Sequence, residues 1–243
     1  MKDWEHSLLL RSFFFIFGDQ WQSILASGAA TKREELSAIR YRQARECSYR
    51  RMQESYNSYS KNMQNLRLFT TRLELVAATV ELAQAEIENL SALAELLNVP
   101  KPTNWPPPLN DENSQRSLLA ALENAEPDAA GWNLWFCIRR EPRELVGNAG
   151  FKGSPGDGLV EIGYSMLEAH QRNGYCTEAV RALIIWAFED PAVQTIIAHT
   201  LPELKPSIRV MEKCGLSFVG EGPTEDGMQT IRYELPRLRF QAS

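Results

Sequence analysis

The sequence predicts an α+β fold: a central mixed, mostly antiparallel sheet flanked by helices, behind an N-terminal extension that is helical or poorly ordered. Three observations predict it. From Leu66 onward, runs rich in β-branched and aromatic residues alternate with stretches whose apolar residues recur at helical spacing. Three strand-like runs follow one another through connections short enough to make them antiparallel neighbours. A later run reaches its partner only across a helix, which makes that pairing parallel. The folded domain is expected over residues 66–238 and the extension over residues 1–65.

The extension differs from the rest in charge. Up to Asn62 it holds ten Lys/Arg against seven Asp/Glu, a balance of +3 that leaves −8 for the remainder of a chain of net charge −5. Its apolar run Leu8–Phe17 falls short of the roughly 20 residues that a membrane helix needs. Asp3, Glu5 and Arg11 also oppose a signal peptide, so no stable membrane insertion is expected. Tyr49, Met52, Tyr56, Tyr59, Met63 and Leu66 form a thin stripe at three- and four-residue steps, too few heptads for a coiled coil. The arginines between positions 33 and 51 read as a solvated face. Because composition changes abruptly here, Met63 also reads as a natural start with the upstream residues as translated leader. N-terminal sequencing of protein expressed from its own promoter decides that point.

The domain opens with a strand, Arg72–Ala77. Thr79 caps a helix reaching Asn98, with Leu82, Ala85, Ile87, Leu90, Leu93, Leu96 and Leu97 as its buried stripe. A proline-rich loop follows, whose fixed φ angles exclude helix. Trp105 stands in it either as a wall of a substrate site or as a plate pinning the loop to the domain. A helix is expected over Gln115–Glu126, with Leu118, Leu119 and Leu122 inward. Strands Gly131–Arg139, Glu144–Phe151 and Leu159–Leu167 form the meander. A helix begins at Thr177, burying Val180, Leu183, Ile184 and Ala187. A strand over 193–200 is next, then a helix opened by Pro206 and closed by Gly215. Leu216–Glu221 and Met228–Leu235 close the chain as a hairpin.

Apolar content of 44% and charged content of 23% are ordinary for a globular protein. The net charge gives no reason to expect nucleic acid as a partner. Cys47, Cys137, Cys176 and Cys214 are widely spaced, which argues against a zinc site or a disulfide framework and for a reducing, cytoplasmic setting. No metal is expected.

The stretch Glu161–Phe188 carries the chemistry. A strand runs into the polar turn His170–Gly174 and then into a helix. A turn freed by Gly174 can aim several backbone N–H groups one way, at a helix end whose dipole favours anions. Gln171-Arg172-Asn173-Gly174-Tyr175-Cys176, between an EIGY strand and a TEA helix, resembles the pyrophosphate-binding signature of the GNAT N-acetyltransferases, with Cys176 in place of the usual Gly or Ala. The opening TRLELVAAT resembles the ribosomal-protein N-acetyltransferase-like (RimJ/RimL-type) branch. The resemblance covers about 170 of the 243 residues.

The resemblance implies the GNAT fold and acetyl-CoA as co-substrate, without a metal. It places the pyrophosphate on the turn formed by Gln171, Arg172, Asn173, Gly174, Tyr175, Cys176 and Thr177. The pantetheine arm would pair with the strand carrying Tyr164, Ser165, Met166 and Leu167. Glu161 is the candidate base for the attacking amine, or else a strand-end charge that binds the amine. His199 is either a proton relay or a solvent-facing side chain, and strand alternation favours the solvent. Ser207 either hydrogen-bonds near the thioester sulfur or caps its helix. Leu204 and Met211 stand where the family has Asn and, in many members, a proton-donating Tyr. The acceptor is expected to be a protein N-terminus or a small amine, and the enzyme a monomer or homodimer. The alternative is a non-catalytic domain that binds acetyl-CoA or a protein partner.

Overall fold

The structure is a computed structural model that describes residues 66–241 apart from positions 109, 127, 128 and 226. The chain divides into two units, 1–59 and 60–243. All the described residues lie in the second, so the expectations for the extension fall outside them.

Eight described strands form one sheet in the order β1-β2-β3-β4-β5-β6-β8-β7. They are β1 (Arg67–Phe69), β2 (Leu73–Ala77), β3 (Leu134–Arg139), β4 (Glu144–Phe151), β5 (Leu159–Met166), β6 (Thr195–Thr200), β7 (Ser217–Glu225) and β8 (Met228–Pro236). The helices are α1 (Val80–Glu88), α2 (Leu90–Leu97), α3 (Glu112–Glu123), α4 (Tyr175–Glu189), α5 (Lys205–Lys213) and α6 (Arg237–Gln241). The meander is antiparallel, β5 pairs with β6 in parallel, and β6 pairs with β8 antiparallel. The mixed sheet is therefore as expected.

Strand alternation sorts side chains into two cores. Leu73, Leu75, Trp135, Val146, Val160, Ile162 and Ile196 pack with Val180, Leu183 and Ile184 of α4. Val76, Phe136, Ile138 and Leu145 pack on the other face with Leu82, Leu93 and Leu97 of α1 and α2. Truncating a fully buried leucine such as Leu93 or Leu183 to alanine costs about 2–5 kcal/mol. On the α4 side, Trp186 packs within 4.7–5.7 Å of Trp132, Trp135 and Phe151. Gly131 is required beside them, because its φ is +85° and a Cβ would meet Trp186 at 2.7 Å.

Several element boundaries differ from expectation, β7 among them, which runs on to Glu225; at three helices the difference comes from a cap. The helix expected from Thr79 to Asn98 is two. Asn89 is extended, and its side chain accepts from the N–H groups of Ser91 and Ala92, so one residue ends α1 and starts α2. α3 begins at Glu112, because Asp111 caps it through Ser114 N–H. α4 begins at Tyr175 rather than Thr177, with Gly174 as its cap. Short β1, paired with β2, and terminal α6 are additional.

Candidate active site

β5 and β6 are partners for only three residues. Leu159, Val160 and Glu161 pair with Thr195, Ile196 and Ile197, and the pairing ends there. Beyond it β5 stays bonded to β4 from Ile162 to Met166, and β6 stays bonded to β8 out to Thr200. The two strands thus diverge into a wedge whose inner edges carry backbone groups that an extended ligand can pair with.

The turn expected to bind anions follows β5 and leads into α4. Gln171 Nε2 donates to the Met166 carbonyl (3.2 Å) and Asn173 Nδ2 to the Gln171 carbonyl (3.0 Å). Arg172 (φ +61°) and Gly174 (φ +80°) are both left-handed. Gly174 has no side chain with which to cap α4, so the first N–H groups of the helix, at Tyr175, Cys176 and Thr177, suit an external anion.

Arg72 braces the turn, a role that the sequence did not reveal. Its guanidinium donates to the Asn173 carbonyl (2.9 Å) and to Glu178 (2.7 Å), and lies 4.7 Å from the Tyr175 ring centroid. Glu178 also accepts from Arg72 N–H (2.8 Å) and Thr70 Oγ1 (2.6 Å). Burial opposes its charge, but these bonds outweigh it and hold the carboxyl below its ordinary range. Alongside runs an open groove of about 540 Å³, lined by Phe69, Arg72, Gly174, Arg181, Ile185 and Lys213 among others.

On the α4 side of the wedge, Tyr164 reaches from β5 to the first turn of α5. Its hydroxyl donates to the Ser207 carbonyl (3.0 Å) and lies 3.2 Å from Ser207 Oγ. Burial raises the phenol above its ordinary range, so it remains protonated. Ser207 is not the cap of α5. Leu204 holds that position and makes no side-chain bond. Met211 is buried in the core. Burial also raises Cys176, and Cys214 to about 11, which makes both inert packing thiols.

On the opposite face, Glu161, Gly163 and Ser165 alternate along β5. Glu161 is held by Lys152 Nζ at 2.6 Å and lies 3.2 Å from His199 Nδ1. The His199 side chain is only 6% exposed, which corrects the expectation that it faces solvent. Its ring lies under β7, which departs from regular pairing between Glu221 and Thr224. Above Gly163 the space is open: a Cβ there would meet no atom within 4 Å. Asn148, across from Ser165, is buried, and its amide nitrogen has no hydrogen-bond partner among the described residues.

The proline-rich loop covers the Ser165 end of this face. Ser165 Oγ donates to the Pro108 carbonyl. Trp105 is buried, and its indole N–H donates to Glu86 (2.9 Å). The ring thus anchors the loop to α1 instead of forming an open wall. The wedge therefore brings together Glu161, Tyr164, Ser165, Ser207 and the Gln171–Thr177 turn, and leaves Trp105 beneath its lid.

The sequence profile described as "Acetyltransferase (GNAT) domain" matches residues 79–217, more than half of the chain. The chain belongs to the GNAT acetyltransferase family. Among its relatives, N-acetyltransferase YjdG of Bacillus subtilis (strain 168) is 36% identical over 86 residues, 35% of this chain and about half (51%) of that protein. N-acetyltransferase p20 of Bacillus licheniformis is 28% identical over 162 residues, 65% of this chain and 85% of that one. A similar fold occurs in the ribosomal-protein-S5-alanine acetyltransferase of Vibrio fischeri, with a TM-score of 0.53 at 16% identity over 71% of this chain and 97% of that chain. Acetyl-CoA is the co-substrate of this GNAT domain. The wedge and the uncapped Gly174 turn fit its strand-like arm and its pyrophosphate. Among the described residues, no cluster of His, Cys, Asp or Glu suits a metal and no helix is long and apolar enough to cross a membrane.

Proposed function

We propose that this chain is an N-acetyltransferase of the ribosomal-protein acetyltransferase-like branch, in which a primary amine attacks the acetyl-CoA thioester directly. The observation that carries the proposal is the wedge, which opens immediately beyond Glu161 and Ile197. Backbone N–H groups on the open edge of β5 suit the charge that develops on the thioester oxygen. The turn from Gln171 to Thr177 takes the pyrophosphate, and Arg181 and Lys213 supply cations along the neighbouring groove. Glu161 receives the proton of the acceptor ammonium. Tyr164 and Ser207 supply hydroxyls on the α4 side, where the leaving thiolate needs a proton, and replace the Tyr that Met211 lacks.

The acceptor is the amine of a protein N-terminus or of a small molecule. The S5-alanine acetyltransferase supports the first class by its name. Open space above Gly163 admits either.

The test is calorimetry of the full chain with acetyl-CoA, followed by release of free CoA thiol across a panel of small amines and N-terminal peptides. Binding, with turnover on at least one acceptor, is expected. Binding without turnover favours the non-catalytic reading that Leu204 and Met211 motivate, and absence of binding sinks both.

A further inference from the structure

His199 is a buried imidazole for which the reaction as written has no use. Both ring nitrogens are fully buried and lack a hydrogen-bond partner among the described residues, although Nδ1 lies 3.2 Å from Glu161 Oε1. The contact is close but off the hydrogen-bond line. Orphaned polar atoms of this kind call for an explanation, because burying a polar group without a partner is destabilising. Packing alone would have been served better by an apolar side chain.

The surroundings are specific. His199 stands two residues beyond the last β5–β6 pair, at the mouth of the wedge. Lys152 binds the same Glu161 oxygen, Oε1, that Nδ1 faces. On β8 the neighbour is Arg232, paired with Glu234 at 2.6 Å. On β7 the group against the ring is Gly222, where a Cβ would fall 2.7 Å from Cδ2 and 3.4 Å from Nε2. The ring is therefore clamped with Nδ1 toward Glu161, and Gly222 is the residue that leaves it room.

We infer that His199 works through Glu161 as a positioning residue: it takes over from the Glu161 carboxyl the proton that the acceptor ammonium gives up. This rests on the N-acetyltransferase reading above. With the ring proton on Nε2, Nδ1 presents a lone pair to Glu161. The ammonium N–H bond breaks as its proton passes to a Glu161 oxygen. The proton then moves to Nδ1, leaving a carboxylate that the imidazolium and the Lys152 ammonium both face. The freed nitrogen lone pair attacks the carbonyl. Lys152 already neutralises Glu161, and histidine is the side chain suited to change charge near neutral pH.

The experiment uses the full chain and two readouts. In ¹⁵N–¹H ring spectra, with His6 and His170 assigned by substitution, the His199 titration midpoint should fall in Glu161→Gln, which removes the anion, and rise in Lys152→Met, which removes a cation. A midpoint unchanged in both variants overturns the inference. With the best acceptor of the amine panel, His199→Gln should lower kcat roughly a hundredfold and displace the acid limb of the kcat/KM profile, while acetyl-CoA affinity stays as it was. Gly222→Ala crowds the ring together with Thr230 Oγ1, removes no proton-carrying group, and should displace the same limb. An acid limb superimposable on that of the unaltered chain in both variants marks the ring as packing. Failure of the unaltered chain to bind acetyl-CoA counts against the acetyltransferase reading. Bound acetyl-CoA with a midpoint blind to Glu161 counts against His199 alone.

Discussion

Gly163 is the residue on which acceptor access turns. It lies between Glu161 and Ser165 on the open face of β5, and nothing stands within 4 Å of where its Cβ would be. A leucine there would fold without a clash and fill the cleft. Gly163→Leu is expected to raise the acceptor KM roughly tenfold or more, the cost of about 1.4 kcal/mol of lost binding, with little change in acetyl-CoA affinity. Initial rates paired with calorimetry check it, and a coupled loss of acetyl-CoA binding would place Gly163 in the co-substrate slot instead. The place of Glu161 on β5 was legible in the sequence because the strand's composition stands next to a recognisable turn. Lys152 was not, since its reach to Glu161 depends on how the 153–158 turn folds back. His199 was misjudged because alternation gives the face of a side chain, not what covers that face; the cover is an irregularity in β7, distant in sequence. Trp105 presented two readings that only burial and its bond to Glu86 separate.

Among the elements, the β5–turn–α4 unit was the most legible, because turn chemistry, strand composition and helical period agree over one short stretch. What escaped was its brace. Arg72 lies about a hundred residues earlier, and its contact with Asn173 and Glu178 follows from the sheet order, not from local pattern. The split at Asn89 escaped because the apolar stripe continues through it while a single side chain recaps the chain. The unit also yields a prediction. Gly174 has φ +80°, and a Cβ there would sit 3.3 Å from Arg72 Nη2. A β-branched residue pays about 1–2 kcal/mol in the left-handed region and presses on the brace. Gly174→Val should therefore weaken acetyl-CoA binding roughly tenfold with a smaller effect on thermal stability. Unchanged affinity by calorimetry would remove the turn from the site.

Across the whole molecule, three buried or half-buried carboxyls set opposing pH dependences. Glu178 ties the β1–β2 turn to α4. Glu74, on the opposite face, is bound by Arg67 and Arg143, and Arg143 also donates to the last carbonyls of α2 at Leu97 and Asn98. Burial opposes both charges, but the bonds prevail and lower both groups. Each therefore contributes stability that is present above the unfolded carboxylate value, about 4.3, and lost as pH falls through the lower folded value. Glu86 has the opposite sign. Burial raises it, against the bonds from Trp105 and Asn110, and its second oxygen has no hydrogen-bond partner among the described residues. The folded state then holds a proton that the unfolded chain releases, so its contribution is complete below about 4.3 and declines as pH rises toward the folded value. Glu86→Gln keeps an acceptor for Trp105 and removes that decline. It should raise Tm at pH 8 relative to pH 5 by about 2–4 °C per kcal/mol recovered, while Glu178→Gln should lower Tm at neutral pH and flatten the acid slope. Melting curves across pH 3–9 distinguish them, and a Glu86→Gln profile parallel to that of the unaltered chain would mean that the loop anchored by Trp105 closes over a carboxyl with no stake in its own protonation.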